Sequence, residues 1–101
     1  MVLDRVHLDE KQLVPFCRQH HITRLSLFGS VLRDDFRADS DVDVIVEFEP
    51  DHAPGLFGFA DIEIELARLV GRKVDLNTPG FFSEPLRRRV IAEAETLYAA
   101  S

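Results

Sequence analysis

Residues 25–48 read L-S-L-F-G-S-V-L-R-D-D-F-R-A-D-S-D-V-D-V-I-V-E-F, and two apolar runs within them decide the fold. The first, Leu25 to Phe28, stops at Gly29-Ser30. The second, Val42 to Phe48, is entered through Asp41 and carries Asp43 inside it. Side chains on a strand alternate between faces, so Asp41 and Asp43 share one face while Val42, Val44, Val46 and Phe48 take the other. Residues two apart on a strand lie roughly 6.6 Å apart at the backbone, close enough for two carboxylates to converge on one small cation. Hard divalent cations such as Mg2+ take oxygen ligands, usually one or two carboxylates plus substrate phosphates. Gly29-Ser30 falls at a strand-to-helix turn, where backbone N–H groups and a hydroxyl can meet those phosphates. An acid pair beside a phosphate cradle is the chemistry of nucleotidyl transfer.

Outward from this stretch, the rest of the chain reads as alternating elements. Asp9 caps a first helix, with Gln12 at the capping-box position and Leu8 and Leu13 spaced as a hydrophobic staple. Leu13, Phe16, Cys17 and His20 form its apolar stripe, and Pro15 is tolerated within the first turns. Ile22 to Phe28 is the first strand. Ser30 to Asp35 is one or two helical turns, Arg37 to Ser40 is loop, and Asp41 to Glu49 is the second strand. Pro50 to Gly55 is turn. Phe59, Ile62, Leu66, Leu69 and Val70 give a helix over Leu56 to Val70, stopped by Gly71. Arg72 to Asn77 is a third strand with Val74 and Leu76 facing the core. Ser83 caps a last helix whose stripe is Leu86, Val90, Ala94, Leu97 and Tyr98. The order αβαβαβα predicts an α/β (α+β) fold with a small mixed sheet and helices packed on it.

Asp75 repeats the apolar-acid-apolar pattern of Val42-Asp43-Val44 and lands on the sheet face of Asp41 and Asp43 if both strands serve the same helices. Three carboxylates so placed repel one another unless a cation sits between them. A lone D-x-D is usually a solvent-facing strand. One that follows a strand–Gly-Ser–helix turn, with a third acid on a later strand, is better read as a site.

The 101 residues make room for one domain, 1–101, and its core. With 46% hydrophobic and 30% charged residues the composition is that of a soluble globular protein. The formal net charge of -6 argues against broad, salt-driven binding to nucleic acid or acidic membranes, though not against a nucleotide already paired with metal. Cys17 is the single cysteine, so an intrachain disulfide is excluded and a reducing, cytoplasmic compartment is expected. Met1 to Glu10 lacks the apolar core of a signal peptide, and no stretch is long enough for a membrane span.

Other polar clusters have plainer readings. His20-His21 ends a helix, and His7 and His52 lie in surface segments without a partner at zinc spacing. Arg87-Arg88-Arg89 is the solvated side of the last helix or a local patch for an acidic partner or RNA. Leu56-Phe57-Gly58-Phe59 packs into the core by default, with a protein interface as the second reading. Cys17 is a buried core residue.

The string Gly29-Ser30, ten residues, Asp41-Val42-Asp43 resembles the G-S-x10-D-x-D signature of the DNA polymerase β-like nucleotidyltransferases. The resemblance runs from about Ile22 to Tyr98, and the short length is similar to the minimal nucleotidyltransferase (MNT) family. It implies a palm-like nucleotidyltransferase fold. It further implies that Gly29, Ser30 and Arg33 bind nucleotide, with Arg33 equally well read as a solvated helix-surface residue. Asp41, Asp43 and Asp75 would be catalytic and hold Mg2+, in a two-metal arrangement with ATP as substrate. Asp75 would complete the metal site or take the proton of the attacking hydroxyl. The family further implies an antitoxin that moves AMP from ATP to a tyrosine of a HEPN-domain ribonuclease toxin. Two other functions compete: blocking the toxin by contact alone, and nucleotidyl transfer to a small molecule. The chain departs from the family pattern at Asp34, where a small residue usually follows the arginine; Asp34 and Asp35 either weaken nucleotide binding or face solvent.

Overall fold

The computed structural model describes residues 8–33, 36–37 and 39–100; the expectations placed on His7, Asp34 and Asp35 lie outside them. Helix α1 spans Glu10–Gln19, and the Asp9 carboxylate accepts the Lys11 N–H at 2.9 Å as the cap. Strand β1, Ile22–Phe28, leads into a single 3-10 turn at Gly29–Leu32. Strand β2 spans Val42–Phe48, helix α2 Leu56–Val70 and strand β3 Val74–Asn77. Gly71 ends α2 in the left-handed conformation, φ +76°, and its N–H closes onto the Ala67 carbonyl at 2.9 Å. A 3-10 turn at Pro79–Phe81 then leads to helix α3, Glu84–Glu93.

The last element departs from expectation. The helix ends at Glu93, and Glu95–Ala99 is a fourth strand, β4. Ala94 leaves the helical region at φ -66° and ψ 146°. The Leu86–Tyr98 stripe is helical in period only by coincidence of spacing. Thr96 and Tyr98 suit a strand better than a helix, and β1 has an edge to be covered. β4 pairs antiparallel with that edge, Leu25 opposite Tyr98 and Ser26 opposite Thr96, across a register shift.

The sheet is mixed, in the order β3-β2-β1-β4. β1 and β2 are antiparallel, with Leu25 opposite Val46, Leu27 opposite Val44 and Phe28 opposite Asp43. β2 and β3 are parallel, with Val42 beside Val74, Asp43 beside Asp75 and Val44 beside Leu76. Strand alternation sorts these residues onto two faces. Leu25, Leu27, Val42, Val44, Val46, Val74 and Leu76 are buried in one cluster with Leu13, Phe16 and Cys17 of α1 and Ile62, Leu66 and Val70 of α2. Each fully buried aliphatic side chain contributes roughly 1.5–3 kcal/mol, so this face holds the fold. The side chains of α1 and α2 also meet at its margin, where His20 and Glu65 pair at 2.9 Å. Edge strand β3 is tied to α2 by the Leu76 N–H, which donates to the Glu63 carboxylate at 2.8 Å. The opposite face carries Ser26, Phe28, Asp43, Ile45, Glu47 and Asp75. The segment around α3 approaches it, where Ile91 and Ala94 share a small cleft with Ser26 and Ile45. Among the described residues no helix is long and apolar enough to cross a membrane.

Two readings of the flanking segments change. Leu56 and Phe57 are 81% and 85% exposed, so they do not pack in the core; Phe59 does pack against it. The arginine triplet splits. Arg87 donates to the Pro79 carbonyl at 2.8 Å and the Phe82 carbonyl at 3.0 Å, pinning the turn before α3. Arg88 pairs with Glu84 one helical turn back, at 2.7 Å.

Candidate functional site

Asp43 lies at the crossing of two ladders. Phe28 is its partner on β1 and Asp75 its partner on β3. The chain turns sharply just after Phe28, so Gly29-Ser30 sits over the Asp43 side chain. Gly29 has φ +75°, and a Cβ added there would run into the Asp43 carboxylate, whose Cγ would be 3.2 Å away. Both facts demand glycine: the left-handed backbone and the close approach of the acid. The Ser30 backbone N–H donates to the Asp43 carboxylate. That N–H is therefore engaged with the acid rather than open to a phosphate. Asp41 stands one residue before β2 and is half-buried like Asp43, while Asp75 is exposed. The 3-10 turn is anchored by Val31, which is fully buried in the core.

The electrostatics follow from this crowding. Burial raises the Asp43 carboxyl above its ordinary range, as do the neighbouring charge and hydrogen bond of Asp75 and the charge of Asp41; the Ser30 N–H pulls the other way. Asp43 and Asp75 thus share a hydrogen bond and Asp43 feels the charge of Asp41, with one amide to offset them, although the three carboxylates do not bring an oxygen each within 4.8 Å of one another. Carboxylate oxygens are hard donors, and the donor set Asp41, Asp43 and Asp75 fits a divalent cation such as Mg2+, whose charge would reverse the penalty. The only other acid or thiol with a resolved upward shift among the described residues is Cys17, whose thiol burial pushes up to about 12; it is an inert core group.

A cavity of about 540 Å³ opens beside the turn, lined by Phe28, Gly29, Leu32 and Arg33 on one side and by Leu86, Arg89, Val90 and Glu93 of α3 on the other. Its size and its mixture of apolar walls and guanidinium groups suit a nucleotide. Arg33 reaches this wall at the end of the 3-10 turn, its N–H donating to the Ser30 carbonyl at 2.9 Å. Arg89 was hidden in the Arg87–Arg89 triplet; the helical period alone separates it from its neighbours, since Val90 and Leu86 lie on the same side of α3. Phe82 stacks edge-on against Phe28 at 5.6 Å and supports the floor of the cavity.

Comparisons with known proteins place this geometry in context. The family model described as nucleotidyltransferase domain matches residues 10–98. Protein adenylyltransferase MntA of Thermococcus cleftensis is 33% identical over 72 residues, 71% of this chain and 71% of that one. A Methanocaldococcus jannaschii protein, provisionally named as a protein adenylyltransferase, is 29% identical over 85 residues, 84% of this chain and 89% of that one. Among solved structures, a toxin–antitoxin with AMP-PNP superposes with a TM-score of 0.71 at 21% identity, covering 93% of this chain and 76% of that one. A tri-AMPylated Shewanella oneidensis HEPN toxin in complex with MNT antitoxin gives 0.62 at 19% identity, covering 90% and 70%. At these identities the structural likeness establishes the fold.

Proposed function

This chain belongs to the nucleotidyltransferase domain family, in its minimal branch, and from that premise we propose that it is an antitoxin that transfers AMP from ATP to a tyrosine of a HEPN ribonuclease toxin and so silences it. The observation that carries the reading is the register. It sets Asp43 against Asp75 on one side and against the Gly29-Ser30 turn on the other. The names of the related proteins support adenylyl transfer to protein, and a toxin complex among the structural neighbours supports the class of partner.

On this reading Asp41, Asp43 and Asp75 hold Mg2+, which when bound neutralises phosphate charge and polarises the α-phosphate. Gly29 lets the triphosphate approach the backbone, and the Ser30 hydroxyl holds one of its oxygens. Arg33 and Arg89 draw the nucleotide into the cavity, whose Phe28 and Leu86 exclude water. The tyrosine oxygen attacks the α-phosphorus, forming the new P–O bond as the bond to diphosphate breaks. Its proton, held in solution by a group of ordinary pKa near 10, must be taken up as the bond forms, and Asp75 either completes the metal site or accepts that proton. On this reading the acceptor comes from another protein, as the toxin complex among the structural neighbours supports.

The exposed Leu56 and Phe57 favour a second reading, in which contact alone blocks the toxin. One experiment separates the two. ATP labelled at the α-phosphate is incubated with Mg2+, this protein and the product of the adjacent gene, beside an Asp41→Ala/Asp43→Ala variant. Label on the partner with wild type only is the expected result. A tight complex without label, neutralised equally by the variant, would leave the contact reading.

A further inference from the structure

At the far end of the β1–β2 ladder from the acids, three side chains meet that the sequence keeps apart. His21 precedes β1, Glu49 follows β2, and His52 lies in the turn toward α2. The antiparallel register that sets Ile22 opposite Phe48 brings them together. Asp43 and Glu49 are six residues apart on an extended strand, so this corner is about 20 Å from the acid site.

The corner is held by its backbone. The Glu49 N–H donates to the His21 carbonyl at 2.8 Å, and the His52 N–H donates to the Glu49 carbonyl at 3.0 Å. His21 and Asp51, at φ +58° and +66°, are the non-glycine residues with left-handed backbone among those described, and both lie here. The imidazoles of His21 and His52 stack with centroids 4.0 Å apart and planes 19° from parallel. His21 Nδ1 stands 3.4 Å from a Glu49 carboxylate oxygen. One donor atom from each of the three residues falls within 4.8 Å of the others, and all three residues are exposed.

We propose that His21, Glu49 and His52 form a binding site for a borderline divalent transition cation, Zn2+ above all, independent of the acid site. Two imidazole nitrogens and one carboxylate oxygen are the donors zinc takes, whereas Mg2+ requires an oxygen shell. Zinc–ligand distances of roughly 2.0–2.1 Å at tetrahedral angles put neighbouring donors about 3.3 Å apart. The His21–Glu49 separation already has that value, and rotation of the exposed His52 ring brings in the third donor. A fourth position faces solvent and is left to water. The bound cation would fasten the end of α1 to the turn that launches α2 and its exposed Leu56-Phe57 pair. The turn composition of Pro50 to Gly55 shows His52 as a surface residue; only the folded register reveals its partners.

The test is calorimetric titration of ZnCl2 into the full chain in excess Mg2+, using the Asp41→Ala/Asp43→Ala background so that the acid site cannot compete. Cys17 does not compete either, since its side chain is fully buried in the core. The expected result is one equivalent bound, with His21 and His52 ring resonances shifting together, and roughly 100-fold weaker binding in His52→Gln. Glu49→Gln, read the same way, serves if His52→Gln loses its native circular dichroism. Binding of equal strength in wild type and either folded variant, or no binding, would overturn the proposal.

Discussion

The two faces of one sheet have opposite relations to stability. On one, Leu25, Leu27, Val42, Val44 and Val46 are sealed beneath α1 and α2, and each methyl group buried there contributes to the stability of the fold. On the other, Asp43 and Asp75 stand side by side, and burial and the Asp75 charge make the Asp43 charge less favourable. Both sets come from the same strands by simple alternation. The difference teaches that the apolar face supplies the stability against which an intrinsically unfavourable acid cluster can be held in place. The cluster is a standing cost that a bound cation would remove.

The sharpest way to break this comparison is to remove charge from the acid face. Asp43→Asn keeps the shape and the Ser30 contact but is expected to lower AMP transfer ~1000-fold or more, about 4 kcal/mol of barrier, measured with labelled ATP and partner. Leu66→Ala attacks the other face. It should cost about 3 kcal/mol in denaturant unfolding while leaving the rate per folded molecule unchanged. A rate loss equal to that of Asp43→Asn would show that the faces are not separable.

Gly29→Ala probes the one position where backbone and site coincide. The left-handed conformation costs a non-glycine residue about 1–2 kcal/mol, and the new Cβ must displace the Asp43 carboxylate. Stability should fall by that amount and transfer by more than the stability loss explains, as measured below the melting temperature.

The smallest effect is also the most diagnostic. The Asp43 carboxyl is raised in the folded chain, so its ionised form is disfavoured there relative to the unfolded chain. The penalty is complete above the raised folded value and vanishes below the unfolded value near 3.8. In EDTA at neutral pH, Asp43→Asn should therefore be slightly more stable than wild type, by about 1 kcal/mol or less for a partly exposed group. The advantage should shrink as pH falls through that window. Adding Mg2+ should stabilise wild type alone.

Much of this was legible before folding. Asp9, the Leu13–Phe16–Cys17 stripe, the Gly71 stop and three strands follow from local chemistry. The alternation of Val42, Asp43 and Val44 already separates core from acid face. Pairing between strands was less accessible. That Asp75 stands beside Asp43 could be anticipated from the repeated pattern around each, but the meeting of His21 with Glu49 and His52 could not, because antiparallel register leaves no mark in spacing along the chain. β4 was missed because Leu86 to Tyr98 satisfies a helical period while Leu97 and Tyr98 answer to the open edge of β1. Arg89 was lost among its neighbours because three adjacent arginines point in three directions only once the helix is placed.

The most direct measurement is the relaxation of backbone amide resonances by Mn2+, added substoichiometrically with ATP to the isolated chain. If the acid face is the site of the chemistry, broadening centres first on Gly29, Ser30, Asp43 and Asp75, spares Leu66 and Val70, and disappears in Asp43→Asn. Read in a His52→Gln background that removes the second cation site, broadening centred elsewhere, or unchanged when Asp43→Asn is added, would contradict the account.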